Sequence, residues 1–364
     1  MAIDKITSAG LTTSTNQPNF RNIIINGDMS LAQRGTSFSS ISSGNSNYPV
    51  DRFRANLTTT GTWTMSQDTT VPTGQGFATS VKYDCTTADG SLAAGDYLLF
   101  QHIVEAQNLQ YLKFGTSSAE SLTLSFWVKS NKTGTYIAEF YISDTGRSFS
   151  KSYTIDSADT WEKKTITFPG DTGGSIDNNN GVGIELNFWL AAGSTYSSGS
   201  LQTSWGTRVN ANMAAGQVNL ADSTSNEFYI TGVQLEAGLV ASDFEFLPYD
   251  VNLQRCQRYY YLHVSGSQDV GVGGYYSSSH IFFNITFPNT MRAVPTIVYV
   301  SGTDYYKISR NSATDNFNDI AGGGVASLNE VSLYNNNQVS GTAGDAGYVR
   351  SNNASASIAL NSEL

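Results

Sequence analysis

Three segments of this chain alternate so regularly that each splits into two rows of different chemistry. They are LTLSFWVK (Leu122 to Lys129), TYIAEFYIS (Thr135 to Ser143) and VGIELNFWL (Val182 to Leu190). Side chains of an extended strand point alternately to its two faces. One set of rows is apolar: Leu122, Leu124, Phe126 and Val128; Tyr136, Ala138, Phe140 and Ile142; Ile184, Leu186, Phe188 and Leu190. The opposite set holds Trp127, Glu139, Tyr141, Glu185, Asn187 and Trp189, with Ile137 among them. If the strands share a sheet, its second face presents flat rings beside carboxylates and an amide. Rings cover the apolar face of a pyranose and the polar groups take its hydroxyls, so the chemistry of such a face is carbohydrate binding. The same face equally suits burial under a loop, another domain or a sister subunit, and alternation alone leaves both open. Trp205, in the Gly/Ser-rich stretch 193–216, is a further candidate: a contact tip on a long polar loop, or a ring packed back onto the sheet. Tyr275, Tyr276, His280, Tyr305 and Tyr306 make the C-terminal region rich in rings that suit either recognition or sheet packing.

Catalysis finds less support. Paired carboxylates such as Glu139 with Glu185 suit glycan cleavage as acid and nucleophile, which needs a defined separation that the strand pattern does not supply. His102, His263 and His280 are dispersed without HExxH spacing, and neither a G-x-S-x-G elbow nor a P-loop occurs. We therefore expect no enzyme. Cys85 and Cys256 are too few and too distant in sequence for a disulfide framework or a Cys-based zinc site, and are expected as free thiols. The net charge of −10 and the lack of a Lys/Arg run argue against nucleic acid. MAIDKITSAGL lacks a signal-peptide core and no stretch approaches the roughly 20 apolar residues of a span, so the expectation is a soluble chain made in a cytosol, without membrane insertion.

The elements that must position these residues are strands. The chain is 39% hydrophobic and only 14% charged, a composition poor for helix surfaces and suited to strands joined by uncharged turns. After NIIINGD, read as a strand and turn, further strands are expected at 62–65, 78–84, 97–103, 122–129, 135–143, 148–155, 161–168, 182–190 and 227–235. Short strands with turn punctuation and no intervening helical period indicate an antiparallel sandwich or barrel. YDVNLQRCQRYYYL (Tyr249 to Leu262) places Leu253, Cys256 and Tyr260 at helical spacing after Pro248. Beyond it, strands are expected at 280–287, 296–302, 305–310, 330–337 and 356–361. The expected organisation is an N-terminal arm (1–20), a central domain (21–248), a helical linker (249–262) and a smaller C-terminal β-sandwich or barrel (263–364).

NIIINGDMSLAQRG, YPVDRF, LTLSFWVKS and FYITGVQLEAG, followed by FEFLPYDVNLQRCQRYY, resemble bacteriophage tail-fibre and virion-appendage proteins that carry a jelly-roll domain similar to carbohydrate-binding modules. The resemblance runs from about Asn22 to Tyr261, and FPNTMRAVPTI (Phe287 to Ile297) looks like the terminal β-domains of such fibres. It implies a jelly roll in which the segment opening at Asn22 lies beside the strand Phe228 to Leu235. It implies, further, a virion protein assembled in a bacterial cytoplasm: an adhesin contacting host surface polysaccharide, or else a capsid decoration or tail-assembly component. Other virion proteins would bind the arm, and a homotrimer is the implied assembly, with Leu253, Cys256 and Tyr260 as its apolar seam. Related modules hold a structural calcium near an acidic pair in the last strand. Here Thr231 and Gly232 take that place, leaving Asp28 and Glu236 as oxygen donors or as ordinary turn and surface carboxylates; no other cofactor is expected.

Overall fold

A computed structural model describes residues 20–364, the side chains at positions 45, 46 and 322–325 excepted. The arm expected at the N-terminus lies, but for Phe20, outside the described residues. The chain divides into two compact units, one ending at Pro248 and joined by Leu364, the other running from Tyr249 to Glu363.

The first unit contains β1 (Ser37–Ile41), β2 (Gly44–Val50), β3 (Phe53–Thr58), β4 (Thr62–Asp68), β5 (Ser80–Thr87) and β6 (Tyr97–Glu105). It continues with β7 (Leu122–Ser130), β8 (Gly134–Ile142), β9 (Arg147–Ile155), β10 (Glu162–Phe168), β11 (Val182–Ala192), the single turn α1 (Ser194–Ser197), β12 (Gly206–Thr207) and β13 (Glu227–Ala237). These strands form two antiparallel sheets, ordered β1-β4-β5-β13-β7-β10 and β12-β9-β8-β11-β6-β3-β2. The chain changes sheet repeatedly, from β6 to β7, β7 to β8, β9 to β10 and β10 to β11, so neither sheet forms without the other. All three apolar rows foreseen in the sequence are buried between the sheets. Phe126 of one sheet meets Phe188 of the other at 5.0 Å, and Tyr83 meets Phe100 at 5.8 Å, both edge to face. The unit is a jelly-roll β-sandwich.

NIIING does not form the strand expected of it. Its backbone bends instead, with Asn26 and Met29 at φ of 61° and 60°, because side chains and β13 take its hydrogen bonds. The Oδ1 of Asn22 accepts from Ile24 N and Leu235 N, and the Ile23 N–H donates to the Leu235 carbonyl at 2.8 Å. The segment therefore lies against β13, as the resemblance implied. At the turn, the Val233 N–H donates to the Gly27 carbonyl at 2.8 Å, and a Cβ on Gly27 would sit 2.0 Å from the Val233 carbonyl oxygen. Gly27→Ala is thus expected to cost about 1–3 kcal/mol, the range for overpacking an unyielding site. Urea unfolding checks this; an unchanged midpoint would mean that the turn is not held against β13. Opposite the turn, two residues of β13, Gly232 and Val233, stand against the single Phe126 of β7 between the pairs Thr231–Trp127 and Gln234–Ser125, a bulge in which Gly232 takes φ 63°.

The second unit opens with α2 (Tyr249–Gln257) and contains β14 (Tyr260–Ser265), β15 (Asp269–Ser277), β16 (His280–Thr286), β17 (Thr296–Tyr299) and β18 (Tyr306–Arg310). β19 (Ala313–Phe317), β20 (Ala321–Ala326), β21 (Glu330–Asn335), β22 (Ala346–Ser351) and β23 (Ser357–Asn361) complete it. The sheets β14-β23-β17 and β19-β18-β22-β15-β16-β21-β20 enclose a core that includes Ile281, Phe283, Tyr306, Leu333, Val349 and Ile358. The helix ends earlier than its sequence spacing suggested, because Tyr260 pairs with Asn361 and starts a strand. The seam proposed for a trimer is also largely spent: Cys256 and Tyr260 are buried within the chain and Leu253 is half-buried. Both cysteines are buried and neither is in a disulfide. Among the described residues no helix is long and apolar enough to cross a membrane.

Candidate functional site

Strand register places a polar row across the outer face of the seven-stranded sheet of the first unit. Arg54 of β3 is opposite Gln101 of β6, Gln101 is opposite Asn187 of β11, and Asn187 is opposite Glu139 of β8. The side chains follow the same order in a continuous hydrogen-bond chain. Arg54 Nε donates to Gln101 Oε1 (2.5 Å), Gln101 Nε2 to Asn187 Oδ1 (2.6 Å) and Asn187 Nδ2 to Glu139 Oε2 (3.2 Å). Gln101 Nε2 also reaches Glu185 Oε2 at 2.8 Å. Gln101, Asn187 and Glu139 are buried, so the row is fixed in place by partners as well as by the sheet. Beside it runs an apolar row of Leu99, Trp189 and Ile137 in register.

The segment after β11 straps down over that apolar row. Met213 and Ala214 pack on Leu99, Ile137 and Trp189, while the Tyr196 ring lies 5.5 Å from both Trp189 and Tyr97. Arg208 then inserts its guanidinium toward the polar row, with Nε 3.0 Å from Glu139 Oε1 and the group 4.2 Å above the Tyr141 ring. Trp205 is an anchor of this strap and not an exposed tip. Its ring meets Phe114 at 5.8 Å and Phe149 at 5.7 Å, and its N–H donates to the Pro169 carbonyl at 2.6 Å. Burying the ring while satisfying its one donor is more favourable than leaving it in water.

What remains open is a pocket of about 270 Å³ between strap and sheet. Its lining includes Asn56, Tyr97, Gln101, Glu185, Tyr196 and Arg208. Glu139 is fully enclosed: Arg208 binds both its oxygens, and Trp189 Nε1 and Asn187 Nδ2 donate to Oε2. Burial raises its carboxyl above the ordinary range, and Arg208 with the two neutral donors opposes the rise. Glu185 is only half-buried. Burial raises its carboxyl too, against the pull of Arg208 and Arg54, and among the described residues its Oε1 has no partner. The Asn210 side chain and the Tyr196 hydroxyl are likewise uncommitted, and Tyr97 spends its hydroxyl on Asn56 at 3.0 Å. The pocket therefore offers fixed acceptors and donors on one wall and ring edges on the other.

Of the residues singled out in the sequence, the structure gathers Glu139, Tyr141, Glu185, Asn187 and Trp189 on one face. Trp189 is 1% exposed and lines the floor of the pocket under the strap. Trp127 is not on this face: β7 belongs to the six-stranded sheet, where Trp127 is opposite Lys163 and Thr231. The alternation of LTLSFWVK was right about its side of the strand and carried no information about which sheet the strand joins. Arg54, Asn56, Tyr97 and Gln101 were missed although the same alternation in FRANLT and YLLFQHI displays them; Arg208 and Tyr196 carry no periodic signal. In the second unit Tyr275 and Tyr306 are buried, whereas Tyr276 is 74% exposed beside His280 and Phe282.

The two oxygen donors named for calcium have partners within the protein. Glu236 is buried and accepts from Ser242 N, Ser242 Oγ and Gln234 Nε2, with Arg21 Nε 3.6 Å away. An arginine already supplies the positive charge there, and Asp28 Oδ1 accepts from Ser30. Among the described residues no three His, Cys, Asp or Glu side chains group in a way that could hold a metal.

No protein-family model matches the sequence, and no curated protein matches it. Solved structures with a similar chain path include the enzymatically active domain of bacteriophage CBA120 tailspike protein 4, at 15% identity and a TM-score of 0.31, covering 60% of this chain and 21% of that one. A putative sugar binding protein from Bacteroides thetaiotaomicron is similar at 10% identity and a TM-score of 0.30, over 59% of this chain and 99% of its own. A family 11 carbohydrate-binding module from Clostridium thermocellum, in complex with a mixed-linked tetrasaccharide, is similar at 15% identity and a TM-score of 0.28, over 57% and 98%.

Proposed function

We propose that this chain is a non-catalytic adhesin of a bacteriophage virion, and that the strapped pocket on its jelly roll binds a neutral sugar of the host surface. One observation carries the glycan reading: the fixed polar row branches at Gln101 to Glu185, whose other carboxylate oxygen has no partner among the described residues, and Glu185 lines a pocket edged by Tyr97 and Tyr196. Preorganised groups lose little freedom on binding. The pocket is smaller than the roughly 300–1,000 Å³ of sites for larger ligands, so it suits one ring of a glycan. Glu139, enclosed and bound by Arg208, is poorly placed to act as acid or nucleophile, which supports binding without cleavage. The virion assignment rests on the motif resemblance between Asn22 and Tyr261. Weak single-ring contacts become useful when many copies act together, and other virion proteins and a trimeric assembly belong to the same proposal.

Binding of the full chain to bacterial envelope polysaccharide tests it. Glu185→Ala is expected to weaken binding about 10- to 100-fold, the equivalent of one hydrogen bond to a charged group. Tyr97→Ala should weaken it less, and both variants should remain folded. Wild-type protein that is intact yet binds no envelope glycan would favour the alternative, a capsid decoration or tail-assembly component. That alternative draws on the exposed Val272, Tyr276 and Tyr348 of the second unit, which suit an assembly contact.

A further inference from the structure

The outer face of the six-stranded sheet carries a second, separate pocket of about 190 Å³. Three phenylalanine rings form one wall: Phe77 is 5.0 Å from Phe244 and 5.1 Å from Phe246, and Phe244 is 4.8 Å from Phe246. Trp127 also lines the pocket, and Gly232 of the β13 bulge lies beneath Phe77. A Cβ at Gly232 would sit 2.6 Å from the Phe77 ring, so the bulge glycine is what lets that ring lie down. Lys163 and Asp243, both exposed, complete the lining. Among the described residues the Trp127 N–H, the Lys163 ammonium and the Asp243 carboxylate take part in no hydrogen bond or ion pair, so each is available to a ligand.

We infer that this pocket binds the acetamido group of an N-acetylated sugar. Charges of both signs at one small opening favour a neutral ligand that carries a donor and an acceptor together. An amide does so: its N–H suits Asp243, and its carbonyl suits Lys163 or the Trp127 N–H. The remaining methyl group suits the aromatic wall. A plain hydroxyl sugar lacks the apolar substituent, and an anionic or cationic one meets a like charge. The pocket is again of single-ring size. It shares no residue with the strapped pocket, so the inference stands apart from the assignment of that site.

Saturation-transfer NMR on the full chain, with N-acetylglucosamine and glucose as probes, tests it. N-acetylglucosamine should bind with its strongest saturation at the acetyl methyl, and glucose should not compete for the same site. Read at the acetyl methyl in a Glu185→Ala background, which removes binding at the strapped pocket, Trp127→Ala should weaken N-acetylglucosamine about tenfold, the worth of one aromatic contact. Asp243→Asn, a change of an exposed side chain, should weaken it severalfold and guards against misfolding of the tryptophan variant. In that background, glucose binding as well as N-acetylglucosamine does, or N-acetylglucosamine binding that Trp127→Ala and Asp243→Asn both leave unaffected, would overturn the inference. So would a change of oligomeric state in Trp127→Ala with sugar binding intact, which would make this face a contact between copies.

Discussion

Arg208→Leu is expected to destabilise the first unit by about 3 kcal/mol, the lower end of the range for breaking a buried pair. The lower end applies because the Arg208 side chain keeps 24% of its exposure while Glu139 has none. The loss comes from the carboxylate that stays behind, enclosed with only neutral donors. Glu139→Gln in the same chain should therefore recover much of it, because an amide needs no counter-charge. The pH dependence follows from the sign of the shift. Burial holds the Glu139 carboxyl above its unfolded range, and removing Arg208 raises it further. A carboxyl raised on folding contributes stability that is present below its unfolded value of about 4.3 and is lost as pH rises through the folded value. The deficit of Arg208→Leu should accordingly be small near the acid end and grow toward neutrality. Urea midpoints across that interval, for the single and double variants, measure it. A deficit that is flat with pH and not relieved by Glu139→Gln would show that Arg208 acts through packing of the strap alone.

Trp189→Ala should cost about 3–5 kcal/mol, as for other large buried rings, and Trp127→Ala about 1 kcal/mol or less. The two tryptophans occupy equivalent places in their strand patterns, but their surroundings differ. Trp189 lies under Met213 and Tyr196 and gives its N–H to Glu139 at 3.1 Å, so its removal opens a cavity and takes a donor from a buried carboxylate. Trp127 keeps part of its surface in water. Thermal unfolding of both variants decides the matter; similar losses would contradict the buried position of Trp189. The difference governs how binding data are read, since a glycan signal lost in Trp189→Ala would report collapse of the strap, whereas Tyr97 and Glu185 are open to the pocket.

Alternation is a local property, and it was enough to assign the buried rows of β7, β8 and β11 and hence an all-β chain. A strand with one face in a core must repeat apolar residues at period two whatever its neighbours are. The same pattern put Glu139, Glu185, Asn187 and Trp189 on the side away from the core. It was silent on the rest. Which sheet receives β7 depends on the chain crossing between sheets, so Trp127 parted from Trp189 although their strands read alike. Whether a ring on an outer face meets water depends on a strap with no period, in which Tyr196, Trp205, Arg208 and Met213 find partners far away in sequence. The bends of NIIING were hidden for a similar reason, since they are set by bonds to β13 more than 200 residues later. The sequence by itself determined which side chains leave the core, through steric alternation; the tertiary structure alone decided which of them share a pocket, because that is settled by long-range pairing and by what covers each face.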